Sequence, residues 1–234
     1  MKILCLDTST ARLNISVANG DTILFEDTSL PRIGSHAQYL PQSVNVALHE
    51  AGFESIHELD AIGVVTGPGS FTGLRIGISI AKGLAFASGL SLIALDALDV
   101  LAMGAPFSAE FVCAAIDAKK SQVYASIYQV KENKITRISE PVSTVPLTVP
   151  FPEKGEIMCV GDGVPLYEMA FQEVLKDRFI PAPLDYHVIS PRIMAQVAFR
   201  AYQEGRLEKP ETLCAMYVRR SDAEIQRDLR HATR

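Results

Sequence analysis

The sequence lacks the cysteine spacing of disulfide-stapled and zinc-binding proteins. Its four cysteines, Cys5, Cys113, Cys159 and Cys214, form no C-x-x-C pair, and the first three lie in apolar runs, where cysteine behaves as a small hydrophobic residue. Asp7 interrupts the first apolar run too early for a signal peptide, and no apolar run reaches the length of a membrane span. These absences predict a cytoplasmic protein in a reducing compartment, with no membrane partner.

A basic excess is also missing. The formal net charge is −5, whereas a protein that holds nucleic acid on its own usually carries a basic excess, because phosphate contacts supply much of the affinity. The local basic groups are the pairs Lys119-Lys120 and Arg219-Arg220 and the tail residues Arg227, Arg230 and Arg234. Since most such pairs are solvated surface, we expect a partner to hold most of any RNA that is bound.

No catalytic or metal-binding pattern is present in the sequence. No two of its histidines are three or four residues apart, so a helical metal-binding pair is absent. The histidines are His36, His49, His57, His187 and His231. There is no G-x-S-x-G or H-E-x-x-H motif. Residues 117–120 (Asp-Ala-Lys-Lys) supply an acid and a base, but a turn that ends a strand explains them better. We therefore predict no catalytic residue and no metal site in this chain.

The first half of the chain shows clear strand and helix patterns. Apolar runs and alternation predict strands at Ile3–Leu6, Leu13–Val17, Thr22–Phe25, Ala61–Val65 and Leu90–Leu95, with Asn19-Gly20 as a hairpin turn. Apolar residues at helical spacing predict helices at His36–Ala51, Leu74–Ser88 and Leu98–Met103.

The same order of elements returns in the second half. Strands are predicted at Phe111–Ile116, Val123–Tyr128, Ile157–Val160 and Val188-Ile189, and helices at Leu166–Leu175 and Arg192–Tyr202. No helix is predicted before the strand at Ile157, because Pro141, Pro146, Pro150 and Pro152 favour a loop or an extended edge.

Two kinds of turn repeat in register between the halves. Asp7 and Asp117 end corresponding strands, and Gly67-Pro68-Gly69 corresponds to Gly161-Asp162-Gly163. A duplicated β-β-β-α-β-α unit is the plan of the actin-like and hexokinase-like ATPases. We therefore predict an α/β protein of two small actin-like, RNase H-like lobes. Residues 1–105 form the first lobe, 106–190 a reduced second lobe, and 191–234 a C-terminal helix that packs back, followed by a tail.

Two turns are weak candidates for a phosphate-binding loop. Asp7 and Thr8 follow the first strand, while Gly67, Gly69 and Ser70 precede a helix, where backbone N–H groups and the helix dipole favour anions. The alternative is structural: polar side chains satisfy the turn and glycines permit close packing. Neither the P-loop lysine nor the dinucleotide-binding glycine pattern is present. We also expect Gly69 to need backbone freedom.

The helix after this turn is apolar on nearly every side. Such a helix is buried within its own chain or packs against another chain. Gly77 and Ala81 are four residues apart and would let a second helix approach closely. Both interpretations stay open, and we favour a partner surface.

Four stretches, in chain order, carry a family resemblance. They are 3–10 (Ile-Leu-Cys-Leu-Asp-Thr-Ser-Thr), 67–77 (Gly-Pro-Gly-Ser-Phe-Thr-Gly-Leu-Arg-Ile-Gly), 117–124 (with Asp-Ala-Lys-Lys and Val-Tyr) and 217–219 (Tyr-Val-Arg). With these stretches the chain resembles the TsaB family. The second stretch is the most specific of the four.

The resemblance implies a non-catalytic subunit. Members of the family support a TsaD-like enzyme in forming threonylcarbamoyladenosine in tRNA, at the adenosine next to the anticodon. The implied partners are the TsaD-like protein in a heterodimer and a TsaE-like ATPase, with a homodimer as the assembly of the chain alone. ATP and metal are expected on the partners and not on this chain, and tRNA is expected to bind mainly through the complex.

The resemblance also implies a partner surface on two helices. Its residues are Tyr39, Leu40, Arg75, Ile78, Ala81, Lys82 and Ala85. Relatives with TsaD activity bind metal through a histidine pair on the first helix, and here only His36 stands near that place. The alternative function is a small ATPase or kinase of the actin-like superfamily, which requires an adenosine pocket and a catalytic acid.

Overall fold

The computed structural model describes residues 1–30 and 36–219. The predicted basic residues Arg220, Arg227, Arg230 and Arg234, and His231, lie outside the described residues. In the part of the chain that is described, no helix combines the length and the apolar character that crossing a membrane requires.

The first sheet has five strands in the order β3-β2-β1-β4-β5. The strands are β1 (Lys2–Asp7), β2 (Leu13–Asn19), β3 (Thr22–Ser29), β4 (Ala61–Gly67) and β5 (Ser91–Asp96). The first three pair antiparallel, while β1, β4 and β5 run parallel. The helices that accompany this sheet are α1 (His36–Glu50), α2 (Phe71–Ser88) and α3 (Ala97–Gly104).

The second sheet repeats the plan of the first. Its strands are β6 (Phe111–Lys119), β7 (Gln122–Lys131), β8 (Lys134–Arg137), β9 (Val142–Thr144), β10 (Ile157–Val160) and β11 (Phe179–Pro181). The order β8-β7-β6-β10-β11 matches β3-β2-β1-β4-β5 strand for strand, with the same antiparallel and parallel pairs. The predicted duplication and the actin-like fold class are therefore confirmed.

The second lobe is reduced in its proline-rich stretch, as the sequence predicts. Strand β9 and a short 3₁₀ turn, Pro146–Thr148, lie between β8 and β10, in the position that α1 takes in the first lobe. The remaining helices are α4 (Gly163–Leu166), α5 (Glu168–Leu175) and α6 (Pro191–Gln203).

Two predictions in the second half are wrong. The strand predicted at Val188-Ile189 does not form, and β11 takes the edge of the sheet instead. Ile189 is buried in the core between the sheets, so its apolar character serves packing and not strand pairing. The helix predicted at Leu166–Leu175 is split at Tyr167 into α4 and α5.

The side chains of β1 divide between two cores because successive residues of a strand point to opposite faces. Leu4 and Leu6 pack under α1 and α2. Ile3 and Cys5 enter a core shared with α3, α6 and the second sheet. The helices α3 and α6 thus form a layer between the two sheets, and α6 packs against β1, β2 and β3 of the first sheet.

An ionic cluster also joins the two lobes. Arg137 of β8 pairs with Asp96 and Asp99, at the N-terminus of α3, and donates to the Tyr128 hydroxyl at 3.1 Å. Burial raises the pKa of Asp96, and Arg137 offsets this only in part. The cluster fixes the first lobe against the second at a partly buried point.

Candidate functional site

The turn after β1 packs directly against the N-terminus of α2. The Ser70 N–H donates to the Ser9 carbonyl at 2.7 Å, and the Thr8 hydroxyl donates to the Gly73 carbonyl at 2.7 Å. A Cβ at Gly69 would overlap the Ser9 carbonyl oxygen, and one at Gly73 would overlap that of Thr8. The glycines therefore permit contact between two backbone segments.

This packing favours the structural interpretation of the two candidate phosphate loops. Asp7 and Thr8 are buried, and Ser70 caps α2 by accepting a hydrogen bond from the Gly73 N–H at 3.3 Å. The five candidates, Asp7, Thr8, Gly67, Gly69 and Ser70, do come together, but as one packed junction. The backbone N–H of Ser70, which an anion would need, is already bonded within the chain.

The expectation that Gly69 needs backbone freedom is wrong. Its φ lies outside the left-handed region, and lack of space is what requires glycine there. Gly67 is the residue with an unusual conformation, at φ 143°. A Cβ at Gly67 would also overlap the carbonyl oxygen of Met216.

A C-terminal segment, residues 208–219, crosses this junction, and we call it the strap. Glu208 exchanges backbone hydrogen bonds with Leu92, and the Met216 N–H donates to the Thr66 carbonyl at 2.8 Å. Tyr217 then packs on α2, with its ring 5.0 Å from that of Phe71. The Tyr-Val-Arg stretch of the sequence is the end of the strap, which packs against the glycine turn.

Arg75 is held in place by aromatic neighbours. Its guanidinium carbon lies 3.8 Å from the centre of the Phe71 ring, and its Nε donates to the Tyr217 hydroxyl at 3.2 Å. Arginine stacked on a ring in this way loses side-chain freedom in advance of binding. The exposed guanidinium is therefore held in a fixed orientation on the outer side of α2.

The β6–β7 turn of the second lobe lies at the end of the strap. Lys119, Lys120 and Ser121 are all left-handed, with φ values of 62°, 54° and 60°, a conformation that costs of order 1 kcal/mol or more for a residue other than glycine. The Arg219 guanidinium donates to the Gln122 side chain at 2.9 Å. The strap thus contacts both lobes.

Asp117 and Lys119 form an ion pair at 2.6 Å. Burial alone would raise the pKa of Asp117, but hydrogen bonds from Lys119 outweigh it and the net pKa is lowered. The hydrogen bond to Asp117 raises the pKa of Lys119. General acid–base catalysis favours groups that titrate near neutral pH, and these two are moved away from it. The pair therefore suits a turn better than proton transfer.

A small cavity lies between the lobes. Its volume is about 120 Å³, and its lining includes Arg12, Leu101, Ile116, Asp162 and His187. Sites for drug-sized ligands usually measure about 300–1,000 Å³, so the cavity has no room for a nucleotide. Burial raises the pKa of Asp162, whose carboxylate accepts a hydrogen bond from the Asp117 N–H at 3.0 Å. This arrangement does not favour the ATPase or kinase alternative.

Four of the seven predicted interface residues are buried within the chain. Leu40, Ile78, Ala81 and Ala85 all belong to the core beneath α1 and α2. Gly77 and Ala81 form a stripe of small residues that is buried, and a Cβ at Gly77 would overlap the Thr8 side chain. The prediction that these four contact a partner is therefore corrected: the stripe lets α2 approach its own turn.

The outer side of the same two helices carries a different set of residues. Tyr39, Arg75 and Lys82 from the predicted interface lie there, with Tyr39 41% exposed. Sequence reasoning missed Phe86, which is 77% exposed, and Val46, which is 47% exposed. We call this outer side the α1–α2 face. The signal that could have found Phe86 is its position in the helix, eleven residues after Arg75 and off the buried stripe.

The charge of the α1–α2 face differs from that of the whole chain. The two helices contain one acidic residue, Glu50, at the last position of α1. Arg75 and Lys82 are the cations of α2. A chain of net charge −5 therefore presents an apolar face with positive charge, which suits an acidic or neutral partner surface.

Among the described residues, no group of three or more His, Cys, Asp or Glu side chains could hold a metal ion.

The two lobes of repeated topology, joined by a layer of helices, define a member of the actin-like class. A family model described as TsaD, tRNA N6-adenosine threonylcarbamoyltransferase, matches residues 30–225.

Relatives over the whole length narrow this assignment. The Escherichia coli (strain K12) protein named tRNA threonylcarbamoyladenosine biosynthesis protein TsaB is 32% identical, and the match covers 95% of this chain and 96% of the relative. The structure of YeaZ from Pseudomonas aeruginosa is 28% identical with a TM-score of 0.77, covering 92% of this chain and 99% of that chain. A second Pseudomonas aeruginosa structure, of a protein described as similar to peptidase YeaZ, is 29% identical with a TM-score of 0.80, covering 93% and 99%. The chain belongs to the TsaB family.

Proposed function

We propose that this chain is a non-catalytic subunit that binds a TsaD-like enzyme and supports it in forming threonylcarbamoyladenosine in tRNA, at the adenosine next to the anticodon. The names of its full-length relative and of its family model support the pathway. The proposal places the chemistry on the partner, because the Asp117–Lys119 pair is not tuned for proton transfer and the cavity between the lobes is too small for a nucleotide.

The observation that carries the proposal is the α1–α2 face. Large apolar side chains are exposed there beside a pre-oriented arginine, and interface hot spots are enriched in aromatic residues and arginine. An exposed phenylalanine such as Phe86 loses contact with water when a partner covers it, which favours association. The same face is the candidate contact for a homodimer of the chain alone.

The other partners follow from the same assignment. A TsaE-like ATPase joins the complex, and ATP and metal bind to the partner proteins. The tRNA is held mainly through the complex, because this chain has a net charge of −5. The complex acts in the cytoplasm, and the four free cysteines of this chain are compatible with a reducing compartment.

A charge placed on the α1–α2 face tests the proposal. Phe86→Glu should weaken binding of the TsaD-like protein at least tenfold, since a carboxylate in a desolvated contact costs more than about 1.4 kcal/mol. Met169→Glu is the matched control, because Met169 is 84% exposed but lies on α5 in the second lobe. Binding is measured by titration calorimetry, and circular dichroism checks that both variants fold.

The two variants must behave differently for the assignment to hold. If Phe86→Glu binds as tightly as the unaltered chain, the α1–α2 face is not the docking surface. If Met169→Glu also loses binding, the surface is not confined to α1 and α2.

A further inference from the structure

Arg75 of α2 and Tyr217 of the strap meet at the surface of the first lobe. The Arg75 Nε donates to the Tyr217 hydroxyl at 3.2 Å, and the Phe71 ring covers one face of the guanidinium. Arg75 is exposed, and Tyr217 is 45% exposed. Two polar side chains from distant parts of the chain are therefore held together where a partner can reach them.

Both side chains keep hydrogen-bond donors beyond their mutual contact. That contact uses the Nε donor of Arg75 and leaves the N–H groups of its two terminal nitrogens. The Tyr217 oxygen accepts the bond, so its own proton can be donated elsewhere. Within residues 1–30 and 36–219, no carboxylate forms an ion pair with Arg75. The pair therefore offers a positive charge and several donors to a ligand.

The strap fixes Tyr217 from both sides. Met216, which precedes it, donates its N–H to the Thr66 carbonyl at 2.8 Å, and Arg219, which follows two residues later, donates to the Gln122 side chain at 2.9 Å. Donors that are fixed before binding lose little conformational freedom when a ligand arrives. The strap therefore prepares the hydroxyl for a contact that it makes together with the arginine.

We infer that Arg75 and Tyr217 together bind the side-chain carboxylate of an Asp or Glu of the partner protein. The terminal nitrogens of an arginine match the two oxygens of a carboxylate, and the Tyr217 hydroxyl supplies a further donor. Because Phe71 covers one face of the guanidinium, its edge is left for the carboxylate. This inference rests on the proposed function, since the partner is the TsaD-like protein. It adds the strap to the docking surface and names the group that the surface recognises.

The surroundings favour a protein carboxylate over an RNA phosphate. A surface that holds RNA makes several phosphate contacts, whereas α1 and α2 contain two Lys or Arg residues, Arg75 and Lys82. Phe86 is 77% exposed and lies eleven residues after Arg75, about 16 Å further along the same side of α2. An exposed aromatic residue in line with a fixed arginine is typical of protein–protein interfaces.

The first measurement follows Arg75 in the isolated chain by NMR with isotope-labelled arginine. Its Nε–H signal, assigned by its loss in Arg75→Lys, should exchange slowly with water. Tyr217→Phe keeps the ring and removes the hydroxyl, so exchange should become about fivefold faster. Tyr202→Phe on α6, which packs on the other face of the first sheet, should leave the exchange unchanged. Equal exchange in Tyr217→Phe and the unaltered chain would overturn the pairing.

Titration calorimetry with the TsaD-like protein then measures how the two side chains act together. Arg75→Glu should weaken binding at least about tenfold, because it sets one carboxylate against another. Tyr217→Phe should weaken it about threefold to tenfold. In an Arg75→Ala chain the same tyrosine change should have less than about a twofold effect, because both groups act on one ligand. Arg200→Glu, an exposed charge reversal on α6, should leave binding unchanged. Losses that multiply in the double variant would overturn the shared site.

An exchange of charges identifies the ligand. Each exposed Asp or Glu of the TsaD-like protein is changed to Lys in turn. One of these changes should weaken binding of the unaltered chain and restore binding of Arg75→Glu at least about tenfold. Absence of any such rescue would overturn the carboxylate assignment. If Arg75→Glu instead lowers the affinity of the complex for tRNA and not the affinity for the TsaD-like protein, the ligand is a phosphate and the inference is wrong.

Phe86→Glu separates this inference from the proposed function. Loss of binding in Phe86→Glu, with unchanged binding in Arg75→Glu and Tyr217→Phe, would overturn the carboxylate site and leave the docking surface in place. Loss of binding in Arg75→Glu and Tyr217→Phe, with unchanged binding in Phe86→Glu, would support the site and confine docking to the strap end of α2. Unchanged binding in all three variants would overturn both.

Discussion

At the scale of single residues, the junction between the turn after β1 and α2 depends on the absence of side chains. Gly73 approaches Thr8 so closely that even a methyl group would overlap its carbonyl oxygen. The sequence shows that glycines are concentrated here, but it does not show which carbonyl approaches which glycine. For that reason the sequence suggests the close-packing interpretation but does not decide between it and phosphate binding.

Gly73→Ala tests this close approach. The added methyl group must displace the backbone of the turn, so the free energy of unfolding should fall by about 1–3 kcal/mol. Gly83→Ala is the matched control on the same helix, since nothing lies within 4 Å of its Cβ position. It should stabilise the chain by about 0.5–1 kcal/mol because alanine favours helix.

Urea unfolding followed by circular dichroism measures both changes. Equal stability of Gly73→Ala and the unaltered chain would show that the turn and α2 are less tightly packed than the structure has them.

At the scale of elements, α2 shows where sequence pattern stops being informative. Its apolar character predicts either burial or a partner contact. The structure buries one side of α2 in the chain's own core and leaves the other side exposed. The stripe of Gly77 and Ala81 faces the chain's own core, while Phe86 faces outward. The pattern could not assign the sides, because a helix that is apolar all round has no strong amphipathic signal.

Ala81→Glu decides which side the stripe faces. Ala81 is fully buried in the core under α1 and α2, so an unpaired carboxylate there should cost several kcal/mol and destabilise the free chain. Lys82→Glu, the adjacent and half-exposed position, should leave the fold intact. Thermal unfolding of the two isolated variants is the measurement. A stable Ala81→Glu chain would show that the stripe lies on the surface and not in the core.

Other elements were predicted to different degrees for physical reasons. Strands β1, β4 and β6 are long, buried runs, and their sequence pattern locates them. Strand β11 has three residues and ends in Pro181, so neither length nor alternation marks it. The strap has no regular secondary structure beyond one bridge to Leu92, and its contacts with both lobes depend on tertiary packing.

At the scale of the whole molecule, the duplication was the most predictable feature. Two turn types in register were enough to predict two lobes of equal topology. The layer of α3 and α6 between the sheets was not predictable, because nothing in one sequence shows which sheet faces which. The contact of Arg137 with Asp96 and Asp99 likewise joins residues 41 and 38 positions apart without a local pattern.

Charge gives the clearest connection between the whole molecule and its function. An acidic chain with a cationic, apolar α1–α2 face is suited to bind a protein more than to bind tRNA by itself. These features agree with the proposed function, in which this chain supports a reaction that takes place on another protein.

Transfer of the threonylcarbamoyl group to tRNA by purified components tests that claim most directly. The chain alone should give no modified tRNA. Product should appear when a TsaD-like enzyme and a TsaE-like ATPase are added, and it should be lost when Phe86→Glu replaces the unaltered chain while Met169→Glu remains active. Modified tRNA formed by the chain alone, at a rate that contaminating enzyme does not explain, would contradict the account.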